Sequence, residues 1–315
     1  MAISPQLMRQ ICRQTSRPVS AGVYALCDKI LERHGHRVAA ILYYGSCFRR
    51  GDDSEGIVDL YLLVDTYHDA YQNRIQAVLN KLLPPNVFYL EMPFEGRVVR
   101  AKYAILSLAD LERGTSMRCF HSYFWGRFAQ PAGLAYARDD QVAQRVCEAL
   151  AGAVMTFVVR VLPEMTSPFT ARELWRTGFV LSYRAELRTE DPDGVGNLFD
   201  AEPEHYEQLT RATVGGTSLD VQAFDAAVYY QAGIPERARR LSRLAWGARR
   251  LQGKALSILR LFKGLFTFHG GIDYILWKIE RHSGVSVEVA PRLRRLPILG
   301  VCIVFWRVYR QGGFR

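Results

Sequence analysis

The sequence predicts an α+β protein, because strand patterns are confined to the first third of its 315 residues and helical patterns fill the remainder. A hydrophobic content of 49% excludes general disorder and is sufficient for a sizeable core. On these patterns the chain divides into a domain with a small mixed sheet at 1–135, a mainly helical domain at 136–252, and a basic amphipathic segment at 253–315.

The first domain is predicted to begin with a helix over 20–34, where apolar residues follow helical spacing and Gly35 suits a C-cap. A second helix is predicted at about 68–83, and Phe94-Glu95-Gly96 predicts a hairpin turn. Four runs rich in β-branched and aromatic residues predict strands. They are RVAAILYY at 37–44, IVDLYLLV at 57–64, NVFYLEM at 86–92 and RVVRAKYAIL at 97–106.

The middle of the chain is predicted to be helical. Thr170 and Glu173 have the spacing of a capping box, which predicts a helix that ends near Arg188. The segment EDPDGVGN at 190–197 predicts a turn-rich break. Further helices are predicted at about 204–213, 220–231 and 235–252.

The formal charge of +10 is concentrated at the C-terminal end of the chain. Residues 237–315 carry 17 Lys and Arg against three acids, whereas residues 1–236 carry an excess of acids. Such asymmetry is typical of a surface that faces nucleic acid or an anionic membrane, and a solvated helical face is the alternative.

The composition of 254–282 indicates which of these surfaces is expected. This segment mixes aromatic and aliphatic residues with Lys and Arg, which is typical of a helix in the membrane interface; a core helix with a buried strand is the alternative. The apolar run at 298–306 is too short to span a bilayer, which takes about 20 residues. The apolar content exceeds what a phosphate-tracking surface needs, so no nucleic acid is expected. The predicted membrane-associating residues are Lys254, Arg260, Lys263, Trp277 and Lys278.

The stretch YYGSCFRRGDDSEGIVDLYLLVD at 43–65 contains a candidate nucleotide site. Gly45-Ser46 follows one predicted strand, and Asp59 lies on the next. Glycine lets the backbone approach phosphates, serine and successive N–H groups donate to them, and a carboxylate holds Mg²⁺. This combination fits nucleotidyl transfer, in which positioning and a metal ion supply most of the catalysis. An ordinary hairpin is the alternative, and Tyr61 stands where a second carboxylate could lie.

This arrangement resembles the polymerase-β-like nucleotidyltransferase superfamily, in which G-[GS] precedes an acidic strand by about this interval. Further blocks in the same order resemble one of its families, the mitochondrial-type phosphatidate cytidylyltransferases, also called translocator assembly and maintenance proteins. That family has a single acid on this strand, so Tyr61 agrees with it. The blocks are YLEMPFEGRVVRAKYAIL at 89–106, WGRFAQPA at 125–132, LSYRAELRTEDPDGVGNLF at 181–199 and KALSILRLFKGLFTFHGGIDYILWKIERH at 254–282.

The sequence departs from the family pattern at several positions. Cys47 and Ala104 replace glycines, and Glu186 replaces an aspartate. Gln130 replaces a lysine, which removes one candidate contact to a phosphate or a lipid head group. Residues 283–315 match no block of the family.

The resemblance implies a reaction in which CTP and phosphatidic acid give CDP-diacylglycerol and pyrophosphate, with Mg²⁺ as cofactor. Asp65 is expected to cap a helix or lie in a loop, because it is about 20 Å along the strand from Asp59. The implied catalytic residues are Asp59 and Lys102; the nucleotide-binding residues are Gly45, Ser46, Lys102, Tyr103 and Arg127; the metal ligands are Asp59 and, from a neighbouring strand, Glu91.

The resemblance also implies a location. Since phosphatidic acid stays in the bilayer, the protein is expected to be peripheral, on the cytoplasmic face of a bacterial inner membrane or the matrix face of the mitochondrial one. No signal peptide opens the chain and its six cysteines lack metal-type spacing, which favours a reducing compartment. Two alternatives are a nucleotidyltransferase with a soluble acceptor and a non-catalytic lipid-binding relative.

Overall fold

The computed structural model shows an α+β protein with a mixed five-stranded sheet and helices on both faces. The structure describes residues 3–54, 56–186, 192–215, 221–225 and 228–267. The strands are β1 (Val38–Tyr44), β2 (Val58–Val64), β3 (Asn86–Phe94), β4 (Arg97–Ser107), β5 (Ala132–Ala137), β6 (Phe169–Thr170), β7 (Val221–Phe224) and β8 (Tyr229–Ala232). The helices are α1 (Pro5–Thr15), α2 (Ala21–His34), α3 (Gly45–Arg50), α4 (Tyr67–Ala70), α5 (Arg74–Leu82), α6 (Leu108–Thr115), α7 (Trp125–Phe128), α8 (Asp140–Val161), α9 (Ala171–Arg184), α10 (Pro192–Asp200), α11 (Pro203–Val214) and α12 (Glu236–Thr267).

The main sheet has the strand order β3-β4-β2-β1-β5. Only β2 and β4 run parallel, and the other neighbours are antiparallel. A parallel pair requires a crossover, which here passes through α4, α5 and the edge strand β3 before the turn into β4. The four predicted strands are confirmed to within two residues, as is the helix predicted over 20–34, whose C-cap is Gly35 with φ +61°.

The two faces of the sheet bury different side chains because successive residues of a strand point in opposite directions. On β2, Leu60 and Leu62 pack in the core formed with α2, whereas Tyr61 and Leu63 pack in the core formed with α8. Asp59 therefore belongs to the face covered by the helical layer. Its position at the start of β2 places it at the margin of that layer.

The helical layer is centred on α8. Phe157 of α8 stacks on Trp175 of α9 with 4.8 Å between the ring centroids, and the same core includes Leu42 of the main sheet. Residues on both sides of position 135 thus share one core, and β5 itself crosses that position. Within the described residues, the helical stretch Asp140–Glu164 alone is long and apolar enough to cross a bilayer, and 72% of its apolar window is buried inside the protein.

Three predictions about secondary structure in the helical half are wrong. The helix predicted at 220–231 is replaced by β7 and β8, because β8 pairs with β6, about 60 residues earlier in the chain. The predicted break at 190–197 overlaps α10, which begins at Pro192, because proline is favoured at the first position of a helix. The capping box of Thr170 and Glu173 is confirmed, but its helix ends at Arg184.

The long helix α12 differs most from expectation. It runs through the predicted boundary at residue 253 and is attached to the loop that follows α5. Lys263 Nζ donates to the carbonyl oxygens of Leu83 and, at 2.8 Å, Pro85, while Arg260 Nε donates to that of Pro84 at 3.0 Å. Burial, with a contribution from Arg260, lowers the pKa of Lys263 to about 7.

These contacts correct part of the predicted membrane surface. Arg260 and Lys263 direct their polar groups into the protein and hold α12 in place, so they do not form an outward basic face. Lys254 is exposed, in agreement with its predicted role. Trp277 and Lys278 lie outside the described residues.

The contact of α9 with α8 gives a test of the helical packing. A methyl group on Gly178 would lie 2.3 Å from Phe157 Cζ, whereas one on Gly152 would meet nothing closer than 3.8 Å. We expect Gly178→Ala to lower the free energy of unfolding by about 1–3 kcal/mol through overpacking. Gly152→Ala should raise it by about 0.5–1 kcal/mol, because alanine favours the helix. Urea denaturation of both variants checks this, and equal stabilities would contradict the packing of α9.

Candidate functional site

A row of four side chains crosses the sheet where β1 ends and β2 begins. Tyr89, Lys102, Asp59 and Tyr44, from β3, β4, β2 and β1, are successive register partners. Register partners point to the same face of a sheet with Cβ atoms about 4.5–5.5 Å apart. Pairing of distant strands therefore brings the two predicted catalytic residues, Asp59 and Lys102, side by side.

Asp59 and Lys102 form an ion pair with 3.0 Å between Oδ1 and Nζ. The side chains retain 23% and 35% of their exposure, respectively. Both charged groups are partly exposed, so water or a charged ligand can reach them.

Gly45 packs directly against the Asp59 carboxylate. Its φ of +87° is a backbone conformation that disfavours residues with a side chain, and a Cβ there would lie 2.7 Å from Asp59 Oδ2. Two independent constraints thus require glycine at this position. The next residue, Ser46, is exposed at the start of α3, whereas Cys47 is buried and its Sγ contacts the carbonyl oxygen of Ile57 at 3.3 Å.

Tyr61 occupies the position on β2 where a second carboxylate could have lain. The residue is fully buried, and its ring packs against Phe128 at 5.0 Å and Tyr44 at 5.3 Å between centroids. An ionised carboxylate in this aromatic environment would pay a large desolvation cost. The absence of a second acid at position 61 therefore has a structural reason. Asp59 lies at the margin of the helical layer, whereas position 61 lies beneath it.

Arg127 of α7 supports the row from inside the protein. Its Nη1 donates to the Tyr44 hydroxyl at 3.3 Å, its Nη2 lies 3.6 Å from Glu186 Oε2, and its guanidinium lies 4.8 Å from the Tyr123 ring centroid. Burial opposes its charge, yet the surrounding tyrosines and Glu186 raise the pKa of Arg127 well above its usual range. Arg127 thus contacts the tyrosine that precedes Gly45, and the structure gives it a supporting position where nucleotide binding was predicted.

Two further predicted residues are not brought to Asp59. Tyr103 points to the opposite face, where it is buried and stacks on Phe88 at 5.3 Å; its predicted nucleotide contact is wrong because adjacent strand residues alternate in direction. Glu91 lies on β3, two strands from Asp59, and its carboxylate accepts from the Tyr89 hydroxyl at 2.8 Å. The structure therefore does not pair Glu91 with Asp59 as a second metal ligand.

The side chains around Asp59 limit which metal ion they could hold. In the described part of the chain, no three His, Cys, Asp or Glu side chains converge. Mg²⁺ is commonly held by one or two carboxylates together with water and substrate phosphates. Asp59 fits as such a ligand, because its carboxylate keeps 23% of its exposure at the margin of the helical layer.

Some contacts around the row were not expected from the sequence. Gln130 accepts from Arg49 of α3 at 3.5 Å and donates to the Tyr183 hydroxyl of α9 at 3.4 Å, so this departure from the family pattern joins two elements beside the site. Away from the row, Asp65 lies in the loop between β2 and α4, which is one of its two predicted places, and pairs there with Arg138 at 2.6 Å. Tyr44 and Tyr89 were missed. The position of Tyr44 at the end of β1, just before Gly45, is a signal that could have found it, whereas Tyr89 lies within β3 and only the register with β4 places it in the row.

The contact of Gly45 with Asp59 can be tested against a matched glycine. Gly51 has a similar φ of +66°, but a methyl group there would have nothing within 4 Å. We expect Gly45→Ala and Gly51→Ala each to cost about 1–2 kcal/mol of stability from the backbone alone. Only Gly45→Ala should also push against the Asp59 carboxylate and lower the free energy of unfolding by about 1–3 kcal/mol more, measured by urea denaturation. Equal losses of stability in the two variants would contradict the contact of Gly45 with Asp59.

No protein-family model matches this chain, and a search of curated proteins finds no match. The geometry of the row and the sequence blocks therefore stand by themselves as the basis for assigning a function.

Proposed function

We propose that this chain is a Mg²⁺-dependent nucleotidyltransferase that transfers CMP from CTP to phosphatidic acid and releases pyrophosphate. The observation that carries the proposal is the packing of Gly45 against Asp59, with the Lys102 ammonium group 3.0 Å from the same carboxylate. A glycine at a strand exit, a partly exposed carboxylate and a cation beside it are what a nucleoside triphosphate with its metal ion requires. The resemblance of the four sequence blocks supplies the choice of nucleotide and acceptor.

In the proposed reaction, a phosphate oxygen of phosphatidic acid forms a bond to the α-phosphorus of CTP. The bond from that phosphorus to the oxygen bridging to the β-phosphate breaks, and pyrophosphate leaves with the electron pair. Asp59 would hold Mg²⁺, which when bound neutralises charge on the phosphates. Lys102 is close enough to Asp59 to act as a point charge on a triphosphate bound there, and the exposed Ser46 would donate to its oxygens.

The outer face of α12 supports an acceptor that resides in a membrane. Its large apolar side chains are 45–77% exposed, and Arg243, Arg250 and Lys254 are exposed beside them. An apolar stripe with basic residues at its side is typical of a helix that lies in the interface of an anionic bilayer. The exposed apolar residues are Leu241, Leu244, Leu251, Ile258, Leu259, Leu261 and Phe262.

The catalytic proposal is tested by incubating the protein with labelled CTP, phosphatidic acid vesicles and Mg²⁺. We expect CDP-diacylglycerol from the unmodified chain and a loss of at least about 10³-fold in Asp59→Asn, because the metal ligand is removed. Asp28→Asn, which neutralises an exposed acid of α2, is the control and should leave the rate unchanged.

Each contrary outcome has a distinct meaning. If product formed with a soluble alcohol or an RNA end but not with phosphatidic acid, the protein would be a nucleotidyltransferase with a soluble acceptor. No product from any nucleoside triphosphate, or equal product from Asp59→Asn, would refute the catalytic proposal and favour a non-catalytic lipid-binding protein.

The membrane face is tested by flotation with vesicles that contain anionic lipid. Leu244→Ser combined with Leu251→Ser should lower the bound fraction at least tenfold. Each of these exposed leucines would contribute about 1.5–3 kcal/mol to binding when it enters the bilayer. The control combines Val98→Ser with Val228→Ser, which changes two exposed apolar residues that lie outside α12. Equal flotation of the two double variants would show that α12 does not contact the bilayer.

A further inference from the structure

A cavity of about 760 Å³ lies at the opposite end of β2 and β4 from Asp59 and Lys102. The parallel pair ends there at Val64 and Ser107, which are register partners. Ligands of open α/β sheets bind preferentially in the crevice beyond the carboxyl ends of parallel strands. Because Asp65 at the cavity is six residues from Asp59, the two places are about 20 Å apart at about 3.3 Å per residue.

The acidic side chains of this cavity are already paired. Asp65 binds Arg138 with 2.6 Å between Oδ2 and Nη1, and Asp110 accepts from the Tyr67 hydroxyl at 2.5 Å. Asp110 also forms an ion pair with Arg113. The cavity therefore offers no carboxylate free to hold a cation among the described residues that line it.

The basic side chains of α5 are not neutralised in the same way. Arg74 and Lys81 both line the cavity, are exposed, and make no ion pair with any described residue. Seven residues separate them, so they lie on one face of α5. Two cations on the rim of a cavity whose acids are paired favour an anionic ligand, and a guanidinium with an ammonium group suits a phosphate.

The same wall of the cavity is also apolar. Val78 and Leu82 line it and are 55% and 75% exposed, and Ile75 on the same helix is 68% exposed. Apolar side chains left in water beside unpaired cations suit a ligand that carries both an anionic group and a hydrocarbon chain. The helix α5 also ends at the loop to which Lys263 of α12 is bound, next to the proposed membrane face.

We propose that this cavity binds the phosphate head group of an anionic lipid, with Arg74 and Lys81 on the phosphate and Val78 and Leu82 along the first part of the acyl chains. The site is separate from the Asp59 row and assigns a second lipid contact to the protein, beyond the transfer reaction. Its occupation orders α5 and the neighbouring start of α6.

The test is hydrogen exchange, followed by mass spectrometry, on the full chain with dihexanoyl phosphatidic acid, a soluble short-chain lipid. We expect protection over 74–82 and 108–115, and at least tenfold weaker protection, measured as a shift in the half-saturating lipid concentration, in Arg74→Gln combined with Lys81→Gln. Arg9→Gln combined with Arg13→Gln removes two exposed arginines of α1 and should behave as the unmodified chain. Asp59→Asn should also keep the protection, so that failure of this site and failure of the transferase proposal are distinguishable.

Three results would overturn the proposal. Unchanged protection in Arg74→Gln with Lys81→Gln would remove these cations from the site. Equal protection by dihexanoyl phosphatidylcholine would show that the anionic head group is not recognised. Equal protection by inorganic phosphate alone would show that the hydrocarbon chain contributes nothing.

Discussion

The pairing of β2 with β4 is the constraint on which the rest of this structure depends. Register places Asp59 opposite Lys102 at the start of the two strands and Val64 opposite Ser107 at their end. A shift of one residue would turn Asp59 into the core formed with α2 and Tyr61 away from the helical layer, because strand side chains alternate. The same register thus produces the accessible ion pair at one end of the sheet and the cavity at the other.

The surroundings of Asp59 show how a single acid can be placed without a second beside it. Tyr61, two residues after Asp59, packs against Phe128 on the face of the sheet that the helical layer covers. A polar side chain at that position would be buried among aromatic rings. Arg127 contributes a buried cation, but it contacts Tyr44 and Glu186 and so acts on the backbone turn before Gly45. Among the described residues of the row, the charges that reach solvent are those of Asp59 and Lys102 at its outer edge.

The helix α12 combines two surfaces with opposite requirements. Its inner face is attached by Lys263, whose low pKa reflects burial, and by Trp246, which is buried in the same core as Phe157. Its outer face leaves large apolar side chains such as Leu251 in water beside arginine and lysine. Because the inner face is held by specific hydrogen bonds, the outer face has a defined orientation relative to the Asp59 row.

Elements whose signals are local could be predicted from the amino-acid sequence alone. The strands β1 to β4, the helix α2 with its Gly35 cap, and the capping box of Thr170 and Glu173 depend on neighbours within one or two turns of chain, so they could be predicted with nearly correct bounds. The end of β1 just before Gly45 and the place of Asp59 on β2 could also be predicted, because both follow from the local strand patterns.

Only the tertiary structure decided what those residues contact. The strand β8 exists because β6, far away in the chain, pairs with it, and a helical pattern in 220–231 carries no information about that partner. Arg260 and Lys263 lie in a segment whose composition is typical of a membrane-facing helix, yet both donate to carbonyl groups of the loop after α5. Tyr103 adjoins Lys102 in sequence and lies on the other face of the sheet. In each case the deciding factor is which distant backbone or side chain satisfies a polar group or covers an apolar one, and that depends on the packed chain as a whole.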